Sequence, residues 1–85
     1  MNLDNLRGEI DAIDDELAVL LARRMDLAAG VAAIKRETGA PVLQPAREKT
    51  ILARLGELVD EQYLPALETV YVAIFRASRE IQRKL

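Results

Sequence analysis

The sequence predicts an all-α fold: three helices per chain, a long helix 1 and shorter helices 2 and 3, in an intertwined antiparallel homodimer. Three observations carry this expectation. Apolar residues recur at Leu3, Leu6, Ile10, Ile13, Leu17, Leu20, Leu27, Val31 and Ile34, in steps of three and four that mark one stripe along a helix. Ala, Leu, Glu and Arg dominate the composition, and the aromatic residues are only Tyr63, Tyr71 and Phe75. Gly39 with Pro41, then Pro45 and Pro65, punctuate the chain into one long and two shorter segments. With 51% apolar residues in a chain of 85, residues 1–85 read as a single helical domain.

Helix 1 begins near Asn2 or Asp4, either of which suits an N-cap, and runs to about Thr38. Gly39 supplies a left-handed C-terminal residue and Pro41 prevents continuation. Gly8 and Gly30 each cost about 1 kcal/mol relative to alanine, but the stripe continues through both. At about 1.5 Å per residue this helix is roughly 50 Å long. Residues Gly39 to Gln44 form a loop. Pro45 opens helix 2, which carries Ile51, Leu52, Leu55, Leu58 and Val59 on one face and ends near Asp60 to Gln62. Pro65 starts helix 3, with a stripe of Leu67, Tyr71, Ile74, Ser78, Ile81 and Leu85. Helices 2 and 3 are too short to cover a 50 Å seam, and a stable monomer rarely leaves so much apolar surface bare. A second copy related by a two-fold axis is the simplest cover.

Composition removes several kinds of chemistry. Without cysteine there is no disulfide, thiol nucleophile or cysteine zinc site. Without histidine the commonest general base and metal ligand are missing. No metal and no cofactor is expected. A formal charge of -2 argues against nucleic acid as a partner. No apolar run approaches the roughly 20 residues that span a bilayer. The N-terminus lacks the pattern of a secretion signal, so the expected compartment is the cytoplasm.

One position breaks the helix 1 stripe. Where an apolar residue is due between Leu20 and Leu27, the sequence has Arg24. A guanidinium on an apolar seam needs an anion, because burying an isolated charge costs many kcal/mol. Lys35 follows eleven residues later, about three turns, on the same face and roughly 16 Å away at the α-carbons. Two long side chains reaching across that gap leave room for one small anion. Arg7 is about 25 Å from Arg24 along the axis, too far to share that ligand within one chain. In an antiparallel dimer whose axis passes near Asp15 and Glu16, Arg7 of one chain falls beside Arg24 of the other. Taken singly, each residue has a plainer reading. Arg24 fits an ion pair with an acidic side chain of the partner; Arg7 and Lys35 fit solvated charges. Arg47 and Glu48 fit the exposed first turn of helix 2, and Ser78, on one face with Gln82, fits a small packing residue.

Taken together, the residues carry a resemblance. Leu6-Arg7, Ile10-Asp11, Ile13-Asp14, the run Leu20-Leu21-Ala22-Arg23-Arg24-Met25, then Val31, Lys35, Gly39 and Pro41-Val42 follow in order. Arg47-Glu48 and Ser78-Arg79-Glu80-Ile81-Gln82 complete the series. In this order and spacing they resemble the all-helical chorismate mutase family over nearly the whole chain. The resemblance implies the Claisen rearrangement of chorismate to prephenate, on the route to phenylalanine and tyrosine. It also implies a dimer of three-helix chains whose long helices cross. A unimolecular pericyclic shift needs no nucleophile, metal or redox cofactor. It needs the substrate held in a compact conformer and donors on the ether oxygen as the C–O bond breaks.

Carried over by position, the resemblance gives each polar residue a role. Arg24 and the partner chain's Arg7 clamp carboxylate, Arg47 adds positive charge, and Ser78 hydrogen-bonds a carboxylate. Lys35 and Gln82 donate to the ether oxygen, and Glu48 accepts from the ring hydroxyl. Gln44 stands where many family members carry an acidic residue, so contact there falls to its amide or to backbone. An isochorismate-pyruvate lyase resembles the same fold with a similar cationic pocket. A non-catalytic helical dimerisation or regulatory module is the alternative from another class.

Overall fold

The computed structural model describes residues 2–84 and contains three α-helices: α1 (Leu3–Thr38), α2 (Pro45–Leu58) and α3 (Leu64–Lys84). The ends of α1 follow from local chemistry. The Asn2 side chain accepts from the Asn5 N–H at 2.8 Å and caps the first turn. Gly39 turns left-handed at φ 74°, and the Ala40 N–H returns to the Lys35 carbonyl at 3.1 Å. Lys35 and Arg36 lie in the last turn, where cations suit the helix dipole.

Helix α2 stops at Leu58, short of the Asp60–Gln62 limit expected from sequence. Val59 is extended, and the Asp60 carboxylate accepts from the Gln62 N–H at 3.1 Å, starting a 3₁₀ turn over Glu61–Tyr63. A local side chain has competed with the helix for that backbone group and won. Helix α3 consequently opens at Leu64, with Pro65 in its first turn, where a missing N–H costs nothing. Leu85, the last residue of the expected stripe, lies outside the described residues.

Helix α3 packs against both of the others. On one side Ile51 and Leu55 of α2 enclose Phe75, with Leu52, Leu67 and Tyr71 around them. Tyr71 and Phe75 meet edge to face, their centroids 5.8 Å apart. On the other side α1 approaches through Ala28 and Ala32, both buried; the lack of bulk there lets the helix backbones come close.

Most of the helix 1 stripe does not take part in this packing. Ile10, Leu20, Leu27 and Ile34 are all at least 55% exposed, and every described residue up to position 20 is exposed. The face turned to α3 is the neighbouring one: Leu21, Arg24, Met25, Ala28, Ala32 and Lys35. Thus α1 has two faces with two different tasks, and within a single chain only the second is covered. The extents of 53 × 25 × 15 Å reflect this, because α1 projects well beyond the helices packed on it.

Leu55 belongs to the core but does not line the cleft described below, so Leu55→Ala separates stability from function. It should lower the unfolding free energy by about 2–3 kcal/mol. In urea titrations this appears as a lower midpoint at an unchanged slope.

Candidate active site

Arg24 leaves α1 toward α3. Its Nη1 donates to Ser78 Oγ at 2.9 Å. Its guanidinium carbon lies 6.0 Å from the Tyr71 ring centroid and 5.9 Å from that of Phe75, a distance at which the ring quadrupoles favour a cation. Among the described residues Arg24 makes no salt bridge. A half-buried guanidinium is therefore held by one neutral hydroxyl and two ring faces. Ser78 is itself buried, with its hydroxyl hydrogen directed at Met25 Sδ at 3.9 Å, and so fixes the direction in which Arg24 points.

Three turns along α1, Lys35 is anchored twice. Its Nζ donates to the Val42 carbonyl and to Gln82 Oε1, each at 3.2 Å. The first bond explains the loop: after Gly39 the chain folds back so that Val42 comes beside the lysine. The second fixes the glutamine. Because an ammonium can only donate, the amide oxygen faces Lys35 and the NH₂ group is left to donate elsewhere. Lys35 retains one N–H of its three. Both side chains line the cleft and each keeps a donor beyond this contact.

Between these two ends lies a cleft of ≈ 550 Å³, within the size range of small-molecule sites. Leu27, Ala28, Val31, Val42, Ile51 and Phe75 supply its apolar surface. Of the eight residues expected from sequence, seven line it: Arg24, Lys35, Gln44, Arg47, Glu48, Ser78 and Gln82. Glu48 is in the first turn of α2, and its own N–H bonds the Gln44 carbonyl at 3.1 Å. The Gln44 amide donates to the Pro41 carbonyl at 3.0 Å, tying the loop to the start of α2. Arg47 stands exposed at the edge. Arg7 is not brought to this cleft; it lies on the uncovered half of α1.

Sequence reasoning assigned no role to Arg79. It lines the cleft and donates through Nη1 to the Glu48 carboxylate, the one ion pair among the described residues. A signal was present: Arg79 is three residues before Gln82, so the two share a helix face. With Arg24, Lys35, Arg47 and Arg79 against Glu48 alone, the wall carries three net positive charges. It suits a small molecule with more than one anionic group. Among the described residues, no helix is long and apolar enough to cross a membrane.

Comparison with known proteins gives this geometry relatives. The sequence model of the family Chorismate mutase type II matches residues 6–83. The chorismate mutase of Methanocaldococcus jannaschii is 36% identical over 83 residues, 98% of this chain and 82% of that protein. The 4-amino-4-deoxychorismate mutase of Streptomyces venezuelae is 33% identical over 75 residues, 82% of this chain and 73% of that protein. The crystal structure of chorismate mutase from Helicobacter pylori in complex with prephenate superposes with a TM-score of 0.84 at 40% identity, covering 96% of this chain and 90% of that one.

A cation held against aromatic rings without a carboxylate is costly to the fold. Arg24→Met, which keeps the length and removes the charge, should raise the thermal midpoint by about 2–6 °C. The same variant should lose affinity for dicarboxylate ligands. Calorimetry and a binding titration on one preparation check both halves.

Proposed function

We propose how this cleft works from the premise that the chain belongs to the chorismate mutase type II family, matched over residues 6–83. Its activity is that of a chorismate mutase, an isomerase. In the reaction one C–O bond breaks and one C–C bond forms within a single molecule of chorismate, giving prephenate. That the Helicobacter pylori relative holds prephenate supports product and substrate sharing one site. The observation that carries our residue-level reading is the Lys35–Gln82 pair. Two adjacent donors, locked by Val42 and by each other, stand about three turns from an uncompensated arginine.

Arg24 takes one substrate carboxylate in a forked contact, with Ser78 holding the guanidinium in place and reaching the same group. Arg47 adds charge from the edge. The second carboxylate balances the remaining positive wall and, with the first, folds the substrate so that the bonding carbons approach. Lys35 Nζ and the Gln82 amide then donate to the ether oxygen. Negative charge grows there as the bond breaks, so these donors act more strongly on the transition state than on bound chorismate. Glu48 accepts from the ring hydroxyl. Gln44, its amide engaged by Pro41, borders the site and contributes its remaining groups or backbone. An acceleration of 10⁶, the low end for enzymes, asks for about 8 kcal/mol, to be shared between conformer selection and two fixed donors.

The assembly completing this site is an antiparallel homodimer. The uncovered α1 stripe supports it, since ten apolar side chains from Leu3 to Ile34 are large and exposed in one chain. Crossing two α1 helices near Asp15 and Glu16 buries that stripe and carries the partner chain's Arg7 toward Arg24. Each dimer then holds two composite sites. We place the domain at residues 1–85 and its work in the cytoplasm.

Purified protein should convert chorismate to prephenate without added metal or nucleotide, followed as loss of chorismate absorbance. Appearance of salicylate and pyruvate instead would favour the lyase reading. Lys35→Ala and Gln82→Ala should each lower kcat by about 10²–10³-fold with helicity unchanged; near-normal rates in both would remove the ether-oxygen assignment.

Inactive Arg7→Ala and Arg24→Ala proteins, allowed to exchange subunits, should recover about a quarter of wild-type activity. Half the dimers are then mixed, and each mixed dimer has one intact site. No recovery in isolated heterodimers would place Arg7 outside the partner's site.

A further inference from the structure

Among the described residues Glu48 is the sole carboxylate on the cleft wall, and it is not alone there. Arg79 reaches from α3 to α2 and donates through Nη1 to Glu48 Oε2. Both side chains are only partly exposed, at 21% and 26%, so their charges are less screened than those of a surface pair. The contact uses one carboxylate oxygen and leaves Oε1 able to accept from a bound molecule. The residue roles above do not employ Arg79, yet it governs the charge of the one carboxylate on the described cleft wall.

We propose that Arg79 is a positioning residue that sets specificity at the substrate's ring substituent. By fixing Glu48 and cancelling its charge, it makes that corner favour a neutral hydroxyl over a cationic amine. This inference rests on the reading that Glu48 faces the ring hydroxyl. A lone carboxylate would attract an ammonium more strongly than a hydroxyl. A carboxylate already paired with a guanidinium offers little such advantage, and the guanidinium repels the incoming cation. The alternative substrate has a precedent in this set of relatives, because the Streptomyces venezuelae protein is named for the 4-amino-4-deoxy analogue of chorismate. One ion pair, present or absent, is a simple way for one scaffold to serve either molecule.

The test compares chorismate with 4-amino-4-deoxychorismate as substrates of the wild-type protein, Arg79→Gln, Arg79→Lys and Glu48→Gln, each first checked for helicity and thermal midpoint. The quantity read is the ratio of kcat/KM for the amine to that for the alcohol. Arg79→Gln should raise this ratio about tenfold or more, whereas Arg79→Lys, which keeps the charge, should stay near wild type. In a Glu48→Gln background, Arg79→Gln should move the ratio much less, since the effect runs through the carboxylate. Equal losses on both substrates, or an unchanged ratio in folded Arg79→Gln, would overturn the proposal. Failure of the underlying reading looks different: Glu48→Gln would then turn over chorismate as the wild type does. Should Arg79→Gln not fold, Arg79→Leu and the Lys variant carry the same comparison, and loss of folding in all three would assign Arg79 a structural role only.

Discussion

The structure turns on a positive charge that the fold itself leaves unneutralised. Arg24 lies against Tyr71 and Phe75, and among the described residues the Ser78 hydroxyl is its only hydrogen-bond partner. Neutralising it with an internal carboxylate would stabilise the helices and fill the ligand's place at once. The chain instead spends its one cleft carboxylate, Glu48, on Arg79 at another part of the wall. In the proposed site the positive wall is left free for the substrate. Its polar groups are also fixed before any ligand arrives, because α1 and α3 hold them through Arg24–Ser78 at one end and Lys35–Gln82 at the other. Donors fixed in advance need little reorganisation when charge develops, which is the main source of electrostatic catalysis.

Helix length is the second constraint. An α1 of 36 residues is roughly 54 Å long, whereas the 21 residues of α3 reach little more than half as far. Among the described residues, α2 and α3 leave one apolar face of that helix uncovered. The face with Ala28 and Ala32 seats α3, and the face with Leu6, Leu17 and Leu27 stays open. In the proposed dimer, the same helix joins the subunits and carries binding residues for both composite sites. Stability and function then share an element, so substitutions along the open stripe are expected to weaken assembly and catalysis together.

How much of this was legible follows from what each signal depends on. The helices were readable because a period of three and four, an asparagine cap, Gly39 and the prolines act locally and agree with one another. The end of α2 was not, because Asp60 capturing the Gln62 N–H competes with a helix whose apolar pattern continues for another turn. The stripe on α1 was correctly periodic, but periodicity reports a face and not the neighbour that covers it. Moving by one residue along the sequence, from Leu27 to Ala28, changes the neighbour from solvent to α3. Phe75 was absent from the expected helix 3 stripe for a similar reason: it lies beside Ile74, and only the position of α2 decides which of the two is buried. Lys35, Gln82 and Ser78 were legible as polar residues at helical spacing. Spacing puts Arg79 on one face with Gln82, but its pairing with Glu48 crosses a gap that no spacing rule spans.

The Lys35–Gln82 contact argues for function more strongly than the presence of either residue. A lysine beside a glutamine need not touch it, and an ammonium without fixed acceptors is free to swing. Here the Val42 carbonyl and Gln82 Oε1 both accept from Nζ, which forces the amide to turn its donors away from the lysine. The loop from Gly39 to Gln44 matters for the same reason, since the left-handed turn at Gly39 returns Val42 to the end of α1. A feature that looked like simple helix termination thereby also places an anchor for Lys35. With Gly39 replaced by a β-branched residue, strain at φ 74° would loosen that return. Lys35 would lose an anchor while every cleft side chain remained present, so the site would keep its residues and lose the direction of its donors.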